Sequence, residues 1–293
     1  MHTDVESASP ALCRLQLARE LKQHRLAAGL RNGQVVKRLL WSASKITRLE
    51  SGDNVTVEPA DVIALCDMYG VDGDARALLV NYAAVTKTKR DWWQSAEYRQ
   101  VITPSFRAYL GLEAAASAMQ NYESEFVPGL LQIEPYVRVI HRRAHEGLSE
   151  EEIDKLVQVR VTRQAALTRT NAPLKFSAII NEAVLRRRVG DADVMRAQMN
   201  HIVEMASLPS VRVQVLPYRA GAHPGMNGAF ILLRFRDNGP KPIIYLENLA
   251  DALVNRREED VERYEDAFTD LQSLAPGPEE SLSIIKEAIK EWH

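Results

Sequence analysis

The chain of 293 residues is 46% hydrophobic and 26% charged, with a formal net charge of −2, enough for two modest globular domains or one large one. Cys13 and Cys66 fit no CxxC spacing, no signal-peptide pattern opens the chain, and no apolar run approaches the roughly 18 residues of a membrane span. These features point away from a membrane partner and toward a soluble, reduced, cytoplasmic protein. The small net charge hides a division along the chain: residues 11–50 hold nine Lys/Arg against Glu20 and Glu50, a local +7 that leaves −9 elsewhere. A basic module on an acidic body is the pattern of a nucleic-acid binder with a separate regulatory domain, although a solvated helical face explains the same composition.

Leu17 and Leu21 fall one turn apart within 12–28, and Gly29 follows Ala27 and Ala28 as a stop, which predicts a first helix. Val35, Val36, Leu39 and Leu40 form an i, i+3, i+4 stripe over a second, short helix ending near Trp41. In WSASKITRLESG, Ser42 can cap a third helix by accepting from the amide of Ser44 or Lys45, with Ile46 and Leu49 inward and Gly52 as a left-handed end. Glu58 and Pro59 open a fourth helix that carries Val62, Ile63, Leu65, Cys66 and Tyr69 inward until Gly70. A short helix, a tight turn and a second short helix with a polar N-terminal end is the helix-turn-helix arrangement.

The stretch GLRNGQVVKRLLWSASKITRLESG resembles the five-helix DNA-binding domain of the xenobiotic-response-element family, the phage-repressor and Cro-like regulators, over residues 14–80. In that family the turn between the two helices usually carries Gly, where this chain has Leu40. A non-glycine residue in a left-handed turn costs about 1 kcal/mol. The resemblance implies double-stranded DNA as partner and groove-facing positions at Ala43, Ser44, Lys45, Thr47 and Arg48, with the capping Ser42 also in the DNA-binding set. Arg48 suits a bidentate pair with guanine, Ser44 a base edge or phosphate, and Ala43 a thymine methyl. Lys45, Lys37, Arg38 and Arg31 suit phosphates, which give affinity without sequence information. The competing reading for Arg48 is a salt bridge with Glu50 or the acidic fourth helix.

Residues 81–111 mix charges with Trp92, Trp93, Tyr98, Phe106 and Tyr109, too aromatic for a flexible tether, and are expected to form a docked helical connector. Leu112 to Met119 and Ile153 to Leu167 read as helical, with Pro128 and Gly129 interrupting the segment between them. LKFSAII reads as a strand, VMRAQMNHIVEMA as a helix, and VRVQVLP, GAFILLRF and KPIIYLE as strands. VERYEDAFTDLQSLA and SLSIIKEAIKEW close the chain as helices. The expected fold class is α+β: an N-terminal all-α helix-turn-helix bundle, a helical connector, and a larger domain with a mixed β-sheet packed by helices. The expected division is a flexible N-terminal tail over 1–12, the helix-turn-helix domain over 13–80, the connector over 81–111 and a regulatory or partner-binding domain over 112–293.

EFVPGLLQ, the run NEAVLRRRVGDADVMRAQMNHIVEMASLPSVRVQVLP, AGAHPGMNGAFILLRF and IIYLE resemble the C-terminal domain of the WhiJ-type bacterial developmental regulators, over residues 90–290. That resemblance implies an antitoxin-like transcriptional regulator, encoded beside a small acidic partner protein.

Candidate chemistry is sparse. His141 and His145 in HRRAH lack the intervening Glu of HExxH and read as a surface pair rather than a metal site. Glu182, His223, Tyr245 and Glu247 fall at strand ends or in the glycine-rich AGAHPGMNG loop, positions that often line a cleft. No nucleophile elbow, phosphate loop or metal-ligand cluster accompanies them, so a ligand or partner site is favoured over catalysis, with Glu182 and Glu247 otherwise pairing with Arg186 to Arg188. Leu282, Ile285 and Ile289 form an apolar stripe on the last helix that either packs on its own domain or meets a partner. The expected function is a sequence-specific DNA-binding regulator without catalytic residues, metal or cofactor, acting as a homodimer whose larger domain receives a small protein or small-molecule effector. The alternative is an antitoxin-like protein that mainly sequesters a small partner and binds DNA for autoregulation.

Overall fold

The computed structural model describes residues 10–52, 56–88, 91–145, 147–170, 172–236, 241–248 and 252–293. Most of the expected tail, residues 1–9, therefore lies outside the described residues. The chain divides into two compact units: one of residues 1–99 with 110–115 and 235–240, and a larger one of residues 100–109, 116–234 and 241–293.

The smaller unit is built from α1 (Pro10–Ala27), α2 (Asn32–Leu39), α3 (Ala43–Ser51), α4 (Pro59–Tyr69) and α5 (Gly73–Thr88), followed by a 3-10 turn at Trp92–Gln94 and the short α6 (Ala96–Arg99). Leu17 and Leu21 of α1, Val35 of α2, Ile46 and Leu49 of α3, Val62, Leu65 and Cys66 of α4, and Leu79 and Ala83 of α5 close around one apolar centre. Two expected members of that core are not in it. Ile63 stands 37% exposed on the outer face of α4, and Leu40 is 91% exposed, because it leaves the helix with φ 55° and ψ 36° as the left-handed cap of α2. The fifth helix runs to Thr88, and the aromatic segment after it is anchored at Asp91, buried beneath Arg14 at 3.3 Å. Trp93 is buried and Trp92 meets both Trp93 and Tyr98 edge-on at 5.3 Å, so these rings pack rather than tether.

The larger unit holds a six-stranded mixed sheet in the order β3-β2-β1-β4-β5-β6. Helix α7 (Pro104–Ala115) leads into β1 (Ala118–Glu123), and then come α8 (Glu134–Ala144), α9 (Glu150–Thr168), β2 (Lys175–Asn181), α10 (Glu182–Arg186), α11 (Ala192–Met205), β3 (Val211–Leu216), β4 (Phe230–Arg234), β5 (Ile243–Glu247), β6 (Ala252–Asn255), α12 (Glu258–Leu274) and α13 (Pro278–Glu291). β1, β2 and β3 run parallel, while β4, β5 and β6 add antiparallel on the other side of β1. The expected helix to Met119 is thus corrected: Met119 lies in β1, the strand from which both halves of the sheet grow.

Side chains alternate between the two faces of the sheet. Tyr122, Ile179, Leu216, Phe230, Leu232 and Ile244 pack under Val261, Phe268 and Leu271 of α12. On the opposite face β2 and β3 present Phe176, Ala178, Ile180, Val213 and Val215, all buried, whereas β1 and β5 present Asn121, Glu123, Tyr245 and Glu247. Buried Gln198 of α11 ties down the PGLLQ turn from both ends, donating to Leu131 O at 2.7 Å and accepting from Ile133 N at 2.9 Å. Ser281 of α13 accepts from Val215 N at 3.0 Å and helps hold the last helix beside β3.

Candidate functional site

In the smaller unit, α3 begins at Ser42, whose Oγ accepts from Lys45 N at 3.2 Å, and ends at Gly52 with φ 77°. Ile46 and Leu49 fix one face of this helix in the core, which leaves Ser42, Ala43, Ser44, Thr47 and Arg48 exposed on the other. Ser42 and Ser44 hydroxyls lie 3.1 Å apart, and Thr47 Oγ1 donates back to Ala43 O at 3.0 Å. Arg31, Lys37 and Arg38 of the α2 segment are exposed as well, and with Arg48 they make no ion pair among the described residues. The first turn of α2 is closed by Gln34, whose Oε1 accepts from Arg31 N at 2.7 Å.

The competing partner for Arg48 is taken, because Glu50 is held by Arg25 of α1 in a bidentate pair at 2.6 and 2.9 Å. Arg25 also donates to Leu30 O at 2.7 Å, so one side chain joins α1, the α1–α2 turn and the end of α3. The hydrogen bond that Arg25 donates to Glu50 is the main reason the Arg25 guanidinium holds its proton more firmly than usual, against the opposing effect of burial.

Lys45 departs from the expected phosphate role. Its ammonium sits 2.7 Å from Asp61 of α4 and 3.8 Å above the centre of the Trp41 ring. The side chain folds back across the start of the helix instead of standing out in solvent, so it is already spent on positioning. The four remaining cations are the ones available to an anionic partner, next to the exposed N-terminal turn of α3, where the helix dipole adds positive potential.

The residues singled out in the larger unit do not form one constellation. Glu182 accepts from Arg186 at 3.1 and 3.2 Å and from Tyr218 N at 2.9 Å, and Arg186 also pairs with Glu291. His223 lies edge-on to the Tyr122 ring at 6.0 Å, and burial lowers its affinity for a proton. Tyr245 is not at a cleft rim: it is 3% exposed and stacks on Tyr109 at 4.1 Å. Glu247 is exposed and, contrary to expectation, makes no ion pair with Arg186, Arg187 or Arg188. Of the two readings of the last helix's stripe, Ile285 follows packing on its own domain, being fully buried there, while Leu282 and Ile289 are half-buried. His141 and His145 stack at 5.8 Å on α8, and His141 is half-buried, pushed down to about 4 by that burial and by Arg160 and His145. Among the described residues no group of three His, Cys, Asp or Glu is placed to hold a metal ion.

Sequence reasoning missed the residues that share a sheet face with Tyr245. Asn121 donates to Glu123 Oε1 at 3.3 Å and to Phe230 O at 3.3 Å. Burial pushes the Glu123 carboxyl up to about 8; the Asn121 amide opposes this, the Glu247 carboxylate adds to it and the Arg160 guanidinium opposes it. Arg160 and Arg163 of α9 project toward Gly129, where a Cβ would collide with the Arg160 guanidinium, so the glycine of the PGLLQ turn makes room for it. No local signal marked them, because AMQNYE has no period-two alternation: Met119 is apolar, and Gln120 and Asn121 are adjacent polar residues.

The geometry of the smaller unit, a short helix, a left-handed turn at Leu40 and a capped helix with one exposed polar face, defines a helix-turn-helix protein, and residues 16–79 match a helix-turn-helix domain family. Residues 106–287 match DUF5753, a domain of unknown function, and the chain belongs to that family. Neither a curated protein nor a solved structure gives a significant match to the chain. No helix among the described residues is long and apolar enough to cross a membrane.

Proposed function

We propose that this protein is a sequence-specific DNA-binding transcriptional regulator of the xenobiotic-response-element type, not an enzyme, and that it works as a homodimer in the cytoplasm. The observation that carries this reading is the exposed face of α3, where Ser42, Ala43, Ser44, Thr47 and Arg48 stand clear of the core, flanked by Arg31, Lys37 and Arg38 with no ion pairs among the described residues. A dimer places two such helices in successive major grooves about 34 Å apart, which calls for a two-fold symmetric operator. The larger unit is then the receiving domain for a small effector or protein partner. Catalysis is disfavoured because Glu182, the best acid-base candidate, is committed to Arg186 and to the Tyr218 amide.

Fluorescence anisotropy with DNA from immediately upstream of the protein's own coding sequence, compared with random DNA at two salt concentrations, tests the reading. A specific preference of roughly a thousandfold supports it. Equal, weak binding to both at either salt argues against autoregulation, and the absence of salt dependence argues against phosphate contact altogether.

A further inference from the structure

We propose that Asp61 of α4 is a positioning residue that sharpens DNA specificity by holding Lys45 of α3 away from DNA phosphates. The inference rests on the reading of α3 as the helix that enters the groove. Lys45 is the third residue of α3, so its ammonium starts from the end of the helix where the macrodipole is positive and repels it. An anion close by offsets that repulsion. Asp61 supplies it from the first turn of α4, with Oδ1 2.7 Å from Lys45 Nζ, and the carboxylate is itself favoured by the positive end of its own helix. The Trp41 ring completes the clamp, its centre 3.8 Å from the same nitrogen. Only 33% of the Lys45 side chain and 22% of that of Asp61 are exposed, so salt screens this pair less than it screens pairs in open solvent.

The contrast with the neighbouring cations gives the clamp its meaning. Arg31, Lys37, Arg38 and Arg48 are exposed and make no ion pair among the described residues, whereas Lys45, on the same helix as Arg48, carries a carboxylate of its own. A phosphate that takes Lys45 must first displace Asp61 and lift the ammonium off the indole. Every duplex offers phosphates at the same spacing, so a free lysine here would tighten binding to any sequence. The other four cations already provide that sequence-independent grip. Captured, Lys45 instead ties the first turn of α3 to the first turn of α4 and steadies the direction in which Ser44, Thr47 and Arg48 project. Losing the pair therefore acts differently on the two kinds of DNA. Random DNA gains one phosphate contact, while the operator gains the same contact and loses the orientation of the reading helix. Discrimination is the difference between the two affinities, and it falls.

The experiment is fluorescence anisotropy of the full chain with random duplex DNA, and with the duplex it selects from a random pool, over about 50 to 200 mM salt. Asp61→Asn removes the charge and keeps the shape. On random DNA this variant is expected to steepen the slope of log K against log salt by about 0.9, so that across the range it loses about 3.5-fold more affinity than the native chain. Asp61→Ser should show the same added slope by a second route. The preference for the selected duplex should drop in both, and Asp61→Glu, which keeps the carboxylate, should restore slope and preference toward those of the native chain. The added slope should vanish when Asp61→Asn is combined with Lys45→Ala. An added slope that survives in the double variant means that Asp61 simply repels DNA, and it overturns the proposal. The slope is read on random DNA and needs no operator, so the two readings fail separately. Salt-dependent binding with equal slopes in the native chain and both charge-removing variants overturns this inference alone; no salt-dependent binding by any of them overturns the DNA-binding reading and the inference with it.

Discussion

Arg48 and Lys37 separate the two jobs of a DNA-reading surface at single positions. Arg48 projects from the exposed face of α3, so Arg48→Ala should cost about 1–3 kcal/mol at the operator and relax one base position. Equal losses on operator and random DNA would remove Arg48 from base reading. Lys37→Ala should weaken both DNAs alike and lower the slope of log K against log salt by about 1. Lys45 is expected to behave like neither. With its ammonium between Asp61 and the Trp41 ring, Lys45→Ala should lower operator affinity while leaving the salt slope unchanged. A slope reduced as in Lys37→Ala would return Lys45 to the phosphate contacts. Leu40 carries both left-handed strain and nearly complete exposure. Leu40→Gly should therefore raise the melting temperature, the relief of about 1 kcal/mol being partly offset by the freedom glycine gains in the unfolded chain.

At the scale of elements, the orientation of α3 depends on its two ends. Ser42 caps the start, and Ser42→Ala should cost about 1 kcal/mol of stability. Glu50 near the finish is buried against Arg25, with 8% of each side chain exposed. Glu50→Ala strands a buried guanidinium and should cost about 3–5 kcal/mol, far more than the cap; comparable losses in urea melts of the two variants would mean Arg25 finds water or another acceptor. The helical half of the protein was legible in its sequence because each helix carries local punctuation: Ser42, Gly52, Pro59 and Gly70 sit where the caps occur. The sheet was legible where strands carry dense apolar or alternating runs, as in β2, β3, β4 and β5. AMQNYE of β1 escaped because its pattern joins the helical Leu112–Ala115 without a breaker, and its strand identity comes from pairing with β2 and β4, more than 50 and more than 100 residues away. Four-residue β6 is shaped by the neighbouring strand more than by its own letters. The polar row was hidden for the same reason, since Glu123 and Glu247 meet only through register. For the reading face of α3 the local signals were sufficient, and only the capture of Lys45 by Asp61, sixteen positions along the chain, needed the structure.

For the whole molecule, two groups in the larger unit shape stability against pH in opposite directions. Glu123 is lifted to about 8 in the folded state from about 4.3 when unfolded, so the folded chain holds its proton more tightly and stability falls as pH rises through that window. His141 is lowered to about 4 from about 6.5, so its contribution is intact above 6.5 and is lost as pH falls toward 4. Glu123→Gln should remove the fall in melting temperature between about pH 4.3 and 8, leaving the rise due to His141 to stand alone below about pH 6.5; a fall that persists unchanged between pH 6.5 and 8 would mean that another carboxyl sets it. The central claim is that the exposed face of α3 reads DNA sequence. Selection of duplexes from a random pool by the full chain, repeated with Arg48→Ala, tests it most directly. The account predicts a two-fold symmetric motif with half-sites about one helical turn apart, and the loss of preference at one position per half-site in the variant. A pool that stays random after repeated rounds, or a motif identical for both proteins, would contradict it.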